Sequence, residues 1–100
     1  MPMTSEAKVK AAVKKILDTH GVYHFSPVTS GYGRAGIPDI VGCCCGRFIA
    51  IECKAGRGET TALQERELAF IRAHGGTALV INEHNIDELK EYLDATKNTR

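Results

Sequence analysis

The sequence has no surplus of either charge: thirteen Lys and Arg stand against twelve Asp and Glu, for a formal net charge of +1. Bulk charge therefore neither advertises nor excludes a polyanionic partner, and local placement must decide. No apolar run approaches the length that spans a bilayer, and the opening eighteen residues hold none of signal-peptide length. The expectation is a protein with no membrane partner that stays in the cytoplasm where it is made, or in the host-cell cytoplasm if its origin is viral. There is no internal repeat, no low-complexity segment and no C-x-x-C pair to grip a tetrahedral ion. Cys43, Cys44, Cys45 and Cys53 accordingly read as small buried hydrophobes in a reducing compartment. His20, His24, His74 and His84 are scattered without ligand spacing and read as surface or helix-end residues.

What is present is enough for one core. One hundred residues, 43% hydrophobic and 25% charged, fit a single globular domain over 1–100, with a tail fraying from about residue 96. Thr4 or Ser5 can cap a helix whose apolar positions Val9, Ala12, Val13, Ile16 and Leu17 keep helical spacing, with Gly21 as its stop. Lys8, Lys10, Lys14 and Lys15 lie on its other side and read as a solvated basic face. Residues 22–28 read as a strand, and "TSGYGRAG" as a glycine-rich loop. "IPDIVGCCCGRFIAIECKA" reads as two strands joined at Gly46 and Arg47 in a type II′ turn. A second helix follows, capped by Thr60 or Thr61, carrying Leu63, Leu68, Phe70 and Ile71 and ended by Gly75-Gly76. Residues 77–82 read as a buried strand, and a last helix opens at Asn85 or Asp87. The order α-β-β-β-α-β-α implies an α/β fold, a central mixed sheet flanked by helices.

The hairpin poses a charge problem. With Gly46 and Arg47 as loop residues, Asp39 pairs with Lys54 and lies diagonal to Glu52. Alternation then puts all three on one face, while Ile40, Cys44, Ile49, Ile51 and Cys53 point to the other. Two carboxylates in a partly buried site resist joint ionisation, and Lys54 offsets only one of them. A divalent cation would supply the remaining charge. An all-oxygen ligand set favours a hard ion, Mg2+ or Mn2+, with the backbone carbonyl of Cys53 as a candidate further ligand.

"IPDIVG" followed by "IECKA" resembles the bipartite signature of the PD-(D/E)xK nuclease superfamily: Pro38-Asp39, then Glu52-x-Lys54. The small size, the approach "GYGRAGIPDIVG" and "ALQ" in the next helix most resemble its stand-alone, phage-like VRR-NUC (virus-type replication-repair nuclease) domain, over nearly the whole chain. The resemblance implies a restriction-endonuclease-like core. Asp39 and Glu52 would hold the metal, and Lys54 would orient the attacking water or stabilise charge on the phosphorane. Gln64 would help position water or lysine. Glu6, on the first helix where related nucleases often carry another acid, would join directly or through an intervening water; Asp18, near that helix's far end, is less well placed.

The implied activity is Mg2+- or Mn2+-dependent endonucleolytic hydrolysis of DNA, with no covalent nucleophile and no small-molecule cofactor. It would be selective for branched structures such as four-way (Holliday) junctions, in replication, recombination or repair. Arg34 and Arg57, set among glycines flanking the site, are candidate phosphate contacts, joined by Ser30 and Lys8. Larger proteins with this domain add regions that select branched shapes. Here the core, or a homodimer with two active sites, is expected to do so. The alternative is a non-catalytic nucleic-acid-binding or assembly module that keeps the fold. If Cys43 or Cys45 faces the catalytic side, its oxidation would impair activity.

Overall fold

Thr4 starts the first helix by accepting, at its hydroxyl, a hydrogen bond of 3.1 Å from the Ala7 amide. The computed structural model describes residues 3–28 and 33–98, and this helix, α1, is Ser5–Thr19. Val9, Val13 and Leu17, four residues apart, are its buried stripe. Then come β1 (Tyr23–Phe25), β2 (Ile40–Cys44), β3 (Arg47–Cys53), α2 (Ala62–Ala73), β4 (Thr77–Ile81) and α3 (Ile86–Asn98). The element order is as expected. The first strand is shorter than the expected 22–28: Val22 already belongs to the core, and Pro27 has no amide to donate to a ladder.

The four strands lie in spatial order β1-β2-β3-β4, with the first three antiparallel and β4 parallel to β3. A parallel neighbour requires a crossover, which α2 provides. On one face, Ile40, Cys44, Ile49, Ile51, Cys53 and Ile81 pack with α1 and α3 into one cluster that includes Leu17, Leu89 and Leu93. On the other face α2 packs against β4, and Leu68, Ala50 and Ala78 are buried. The expected division of β2 and β3 residues between faces therefore holds.

The hairpin turn differs from its expectation. Cys44 pairs with Arg47 and Cys43 with Phe48, so the loop residues are Cys45 and Gly46, and Arg47 belongs to β3. Both loop residues have positive φ, 54° and 82°. That is the pattern of a type I′ turn, whose twist matches that of the flanking strands. One further correction follows. Cys43 and Cys45 are exposed, because one stands on the uncovered part of the sheet and the other in the turn; only Cys44 and Cys53 are buried. On α2, Leu68 is buried while Leu63 and Phe70 are 45% and 48% exposed. The last helix is Ile86–Asn98. Leu89 and Leu93 anchor it in the core, and the Thr96 hydroxyl donates to the Tyr92 carbonyl at 2.8 Å.

Candidate active site

Asp39 precedes β2, and one step along the ladder from the Ile40–Ile51 pair places it opposite Glu52. The expected diagonal relation is thus corrected to a direct one. The slip is two residues, so every side chain keeps its face. Asp39 is fixed by a hydrogen bond from the Cys53 backbone amide to its Oδ2, at 2.8 Å. The first turn of α1 reaches the same end of the sheet and brings Glu6 with it. One carboxylate oxygen from each of Glu6, Asp39 and Glu52 lies within 4.8 Å of the other two.

Glu52 is only 2% exposed. Its Oε2 accepts a hydrogen bond from Gln64 Nε2 at 3.0 Å and lies 3.5 Å from Lys54 Nζ. Its Oε1 is buried with no hydrogen-bond partner. Burial, followed by the adjacent Asp39 carboxylate, pushes its pKa up to about 7, with Lys54 opposing the rise. Gln64 has its place because it is the third residue of a capping box. Thr61 Oγ1 accepts from the Gln64 amide, and the Gln64 side-chain oxygen accepts from the Thr61 amide, which turns the Gln64 amino group toward Glu52. Gly36 lets the loop before Asp39 settle on this helix start. Its φ is 76°, and a Cβ there would stand 2.4 Å from the Leu63 carbonyl oxygen.

Three carboxylates with two ammoniums beside them, and one buried Glu52 oxygen left without a hydrogen-bond partner, are an incompletely compensated arrangement for protein groups alone. The donor set fits a hard divalent cation: three carboxylates and no sulfur or imidazole. Glu6 is therefore brought into the cluster. Asp18, as expected, is not: it pairs with His24 at 2.7 Å, away from it.

The remaining candidates are dispersed. Arg34 does not stand free, because its Nε and Nη2 donate to the two oxygens of Glu67 at 2.6 and 2.9 Å. Hydrogen bonding and attraction to that guanidinium hold the Glu67 carboxyl below its usual range. Arg57 is exposed in the turn three residues beyond Lys54. Lys8 lines a cleft with Glu83 and Ile86, whereas the cleft beside Asp39 is lined by Glu6, Lys10 and Lys14. Ser30 lies outside the described residues. Cys43 shares the catalytic face of the sheet, yet Cys43 and Cys45 belong to the turn end of the hairpin, opposite the acid cluster. His20 and His74 bond the carbonyls of Ile16 and Phe70 at their helix ends, and His84 is exposed beside Glu83. Lys10 is the residue that sequence reasoning left on the solvated face: its Nζ lies 3.5 Å from Asp39 Oδ1. The available signal was its spacing of four from Glu6, which puts both on one side of α1.

Over residues 6–91 the sequence matches the family described as archaeal Holliday junction resolvase (Hjc). Among solved structures, one described as a VRR_NUC domain protein superposes with a TM-score of 0.69, covering 94% of this chain and 92% of its own, at 18% identity. At that identity the likeness is one of fold, and it agrees with the restriction-endonuclease-like core. No curated protein matches the chain.

Proposed function

Because the chain belongs to the archaeal Holliday junction resolvase family, we propose that it is a Mg2+- or Mn2+-dependent endodeoxyribonuclease. Its substrate is branched DNA, four-way junctions above all, cut during replication, recombination or repair. The observation that carries this reading is the convergence of Glu6, Asp39 and Glu52 within 4.8 Å, with Lys54 Nζ 3.5 Å from Glu52.

Asp39 and Glu52 would hold the cation, joined by Glu6 and by the backbone carbonyl of Cys53. When bound, it supplies Lewis acidity to a phosphate oxygen and acidifies a water. The chain's own groups do the rest. The Cys53 amide keeps Asp39 aimed along the sheet end. Gln64 holds Glu52 Oε2, leaving Oε1 free to ligate. The Lys54 ammonium, only 14% exposed, provides fixed positive charge where a phosphorane accumulates negative charge, in surroundings too dry for water to screen it. Arg57 is the candidate phosphate contact nearest in sequence to Lys54, Lys8 is a further one lining a separate cleft, and Ser30 is proposed from the sequence alone. Arg34, tied to Glu67, serves the loop that carries Asp39 more than the DNA.

A four-way junction has two strands to cut, which a two-fold dimer meets with two active sites. Such a homodimer is supported by the part of the sheet that α2 leaves bare. There Tyr23, Phe25 and Phe48 are 70, 51 and 47% exposed, and contiguous apolar surface of this kind marks contact sites. No helix among the described residues is long and apolar enough to cross a membrane, and the cytoplasm is where the proposed substrate would be met.

The test incubates the purified chain with labelled linear, flap and four-way DNA in Mg2+ or Mn2+, then with chelator. Cleavage of branched DNA that chelator and Asp39→Ala both abolish is the expected result. Cleavage that survives either refutes the site, and binding without cleavage in every metal condition establishes a non-catalytic binding module instead.

A further inference from the structure

The acid cluster has a second ammonium that the hydrolytic scheme leaves without a task. Lys54 stands beside Glu52 from β3's end, and Lys10 stands beside Asp39 from α1, each at 3.5 Å. The two differ in freedom. The Lys54 side chain is 14% exposed, whereas that of Lys10 is 36% exposed and lines an open cleft of about 400 Å3 together with Glu6, Lys14 and Asp39. A cation seated among Glu6, Asp39 and Glu52 would draw on the Asp39 charge that Lys10 now balances. Cation and ammonium repel each other at such separations, so one must yield. Lys10 can do so, being a flexible four-carbon stem with a compact charge at its tip. The cleft into which it would swing already carries a second lysine, Lys14, which favours a phosphate there.

We propose that Lys10 is a transferable counter-cation. It neutralises Asp39 while the cluster holds no metal, and it passes to a backbone phosphate of DNA when a divalent cation enters. This deepens the nuclease reading and rests on it. Because the same ammonium opposes metal binding and favours DNA binding, each ligand relieves a penalty on the other. By linkage, metal strengthens DNA binding by the factor by which DNA strengthens metal binding. Lys10 is thus a positioning and coupling residue, distinct from Lys54 at the reacting centre.

The experiment compares the parent chain with Lys10→Met and Lys10→Arg. Methionine keeps an unbranched apolar stem at this half-exposed helix position, and unfolding midpoints verify that all three chains fold. Mn2+ is titrated calorimetrically into the DNA-free chains, and four-way DNA binding is measured over a salt series with and without Ca2+. Lys10→Met is expected to bind Mn2+ roughly two- to fivefold more tightly than the parent, the range set by losing one partly exposed ion pair. Its gain in DNA affinity on adding Ca2+ should shrink, and its salt dependence should fall by about one counterion, with Lys10→Arg restoring both. Mn2+ affinity that is unchanged or weaker in Lys10→Met overturns the proposal, as does an unchanged Ca2+ gain. A parent chain that binds no Mn2+ and cuts no DNA instead overturns the nuclease reading beneath it.

Discussion

Glu52→Gln should make the metal-free protein more stable at pH 8 while destroying its activity. The buried carboxyl is shifted from an ordinary 4.5 up to about 7, with burial the main cause and Asp39 the next. A carboxyl that ionises less readily in the folded state gives the fold its full stability below the unfolded pKa. That stability is lost as pH rises from about 4.5 to about 7, where the unfolded chain has released its proton and the folded chain has not. The shift corresponds to an upper figure on the order of 3 kcal/mol, and about 1 to 3 kcal/mol once relaxation around the site is allowed for. Glutamine removes the charge and keeps an oxygen for Gln64. Its amide nitrogen, in the position of the orphaned Oε1, can donate to Asp39 across the cluster.

The assay is denaturant or thermal unfolding of parent and variant in chelator at pH 5 and pH 8, repeated with Mn2+. In chelator at pH 8, a gain of about 1 to 3 kcal/mol should raise the midpoint by several degrees at this chain length. At pH 5, just above the ordinary value of 4.5, most of the difference should be gone. Mn2+ should stabilise the parent, more at pH 8 than at pH 5 because ligation requires the ionised carboxylate, and the variant much less. A variant no more stable than the parent in chelator at pH 8 would refute the reasoning, since it would mean that Lys54 already compensates the buried charge.

Gln64→Ala removes both the capping box and the hydrogen bond to Glu52; it should lower stability by about 1 to 2 kcal/mol and weaken Mn2+ binding, read by urea unfolding and calorimetry. Arg34→Ala leaves the Glu67 carboxylate without its bidentate partner and should lower the unfolding midpoint at pH 7. Because that carboxyl is held below its usual value, the stability involved is present above the ordinary Glu range and lost as pH falls, so parent and variant should converge in acid unfolding curves. Cys45→Asn puts Asn-Gly at a turn whose first loop residue has a φ of 54°; a gain of about 0.5 to 1 kcal/mol in urea unfolding is expected, with cleavage unchanged.

The site was readable where chemistry forced it. Acids and a lysine with a strand's alternation, on a strand otherwise bound for the core, are too unfavourable to be incidental, and Asp39, Glu52 and Lys54 do meet. Glu6 and Gln64 were harder, because each depends on where a helix starts rather than on any strand pattern. Gln64 had a local signal in the Thr61-x-x-Gln64 spacing of a capping box. Lys10 had only its spacing of four from Glu6 to set it apart from the other three lysines of α1, and Glu67 had none, because its partner comes from a loop 33 residues earlier.

The turn was misplaced, and the reason Asp39 and Glu52 still share a face is physical. Glycine at position 46 suggested the first loop residue of a type II′ turn, but Cys45 takes a left-handed conformation and the loop closes one residue earlier. Moving the loop by one residue on each strand changes the pairing by two, and a strand repeats its faces every two residues. Core residues therefore stayed in the core, and the acids moved from diagonal to opposite without leaving their face. A change of one in the pairing would have turned Glu52 into the cluster of α1 and α3 and Ile51 out of it, exchanging a buried charge for an exposed hydrophobe. The alternation of Ile49, Ile51 and Cys53 with Ala50 and Glu52 excludes that register more firmly than any turn preference selects the right one.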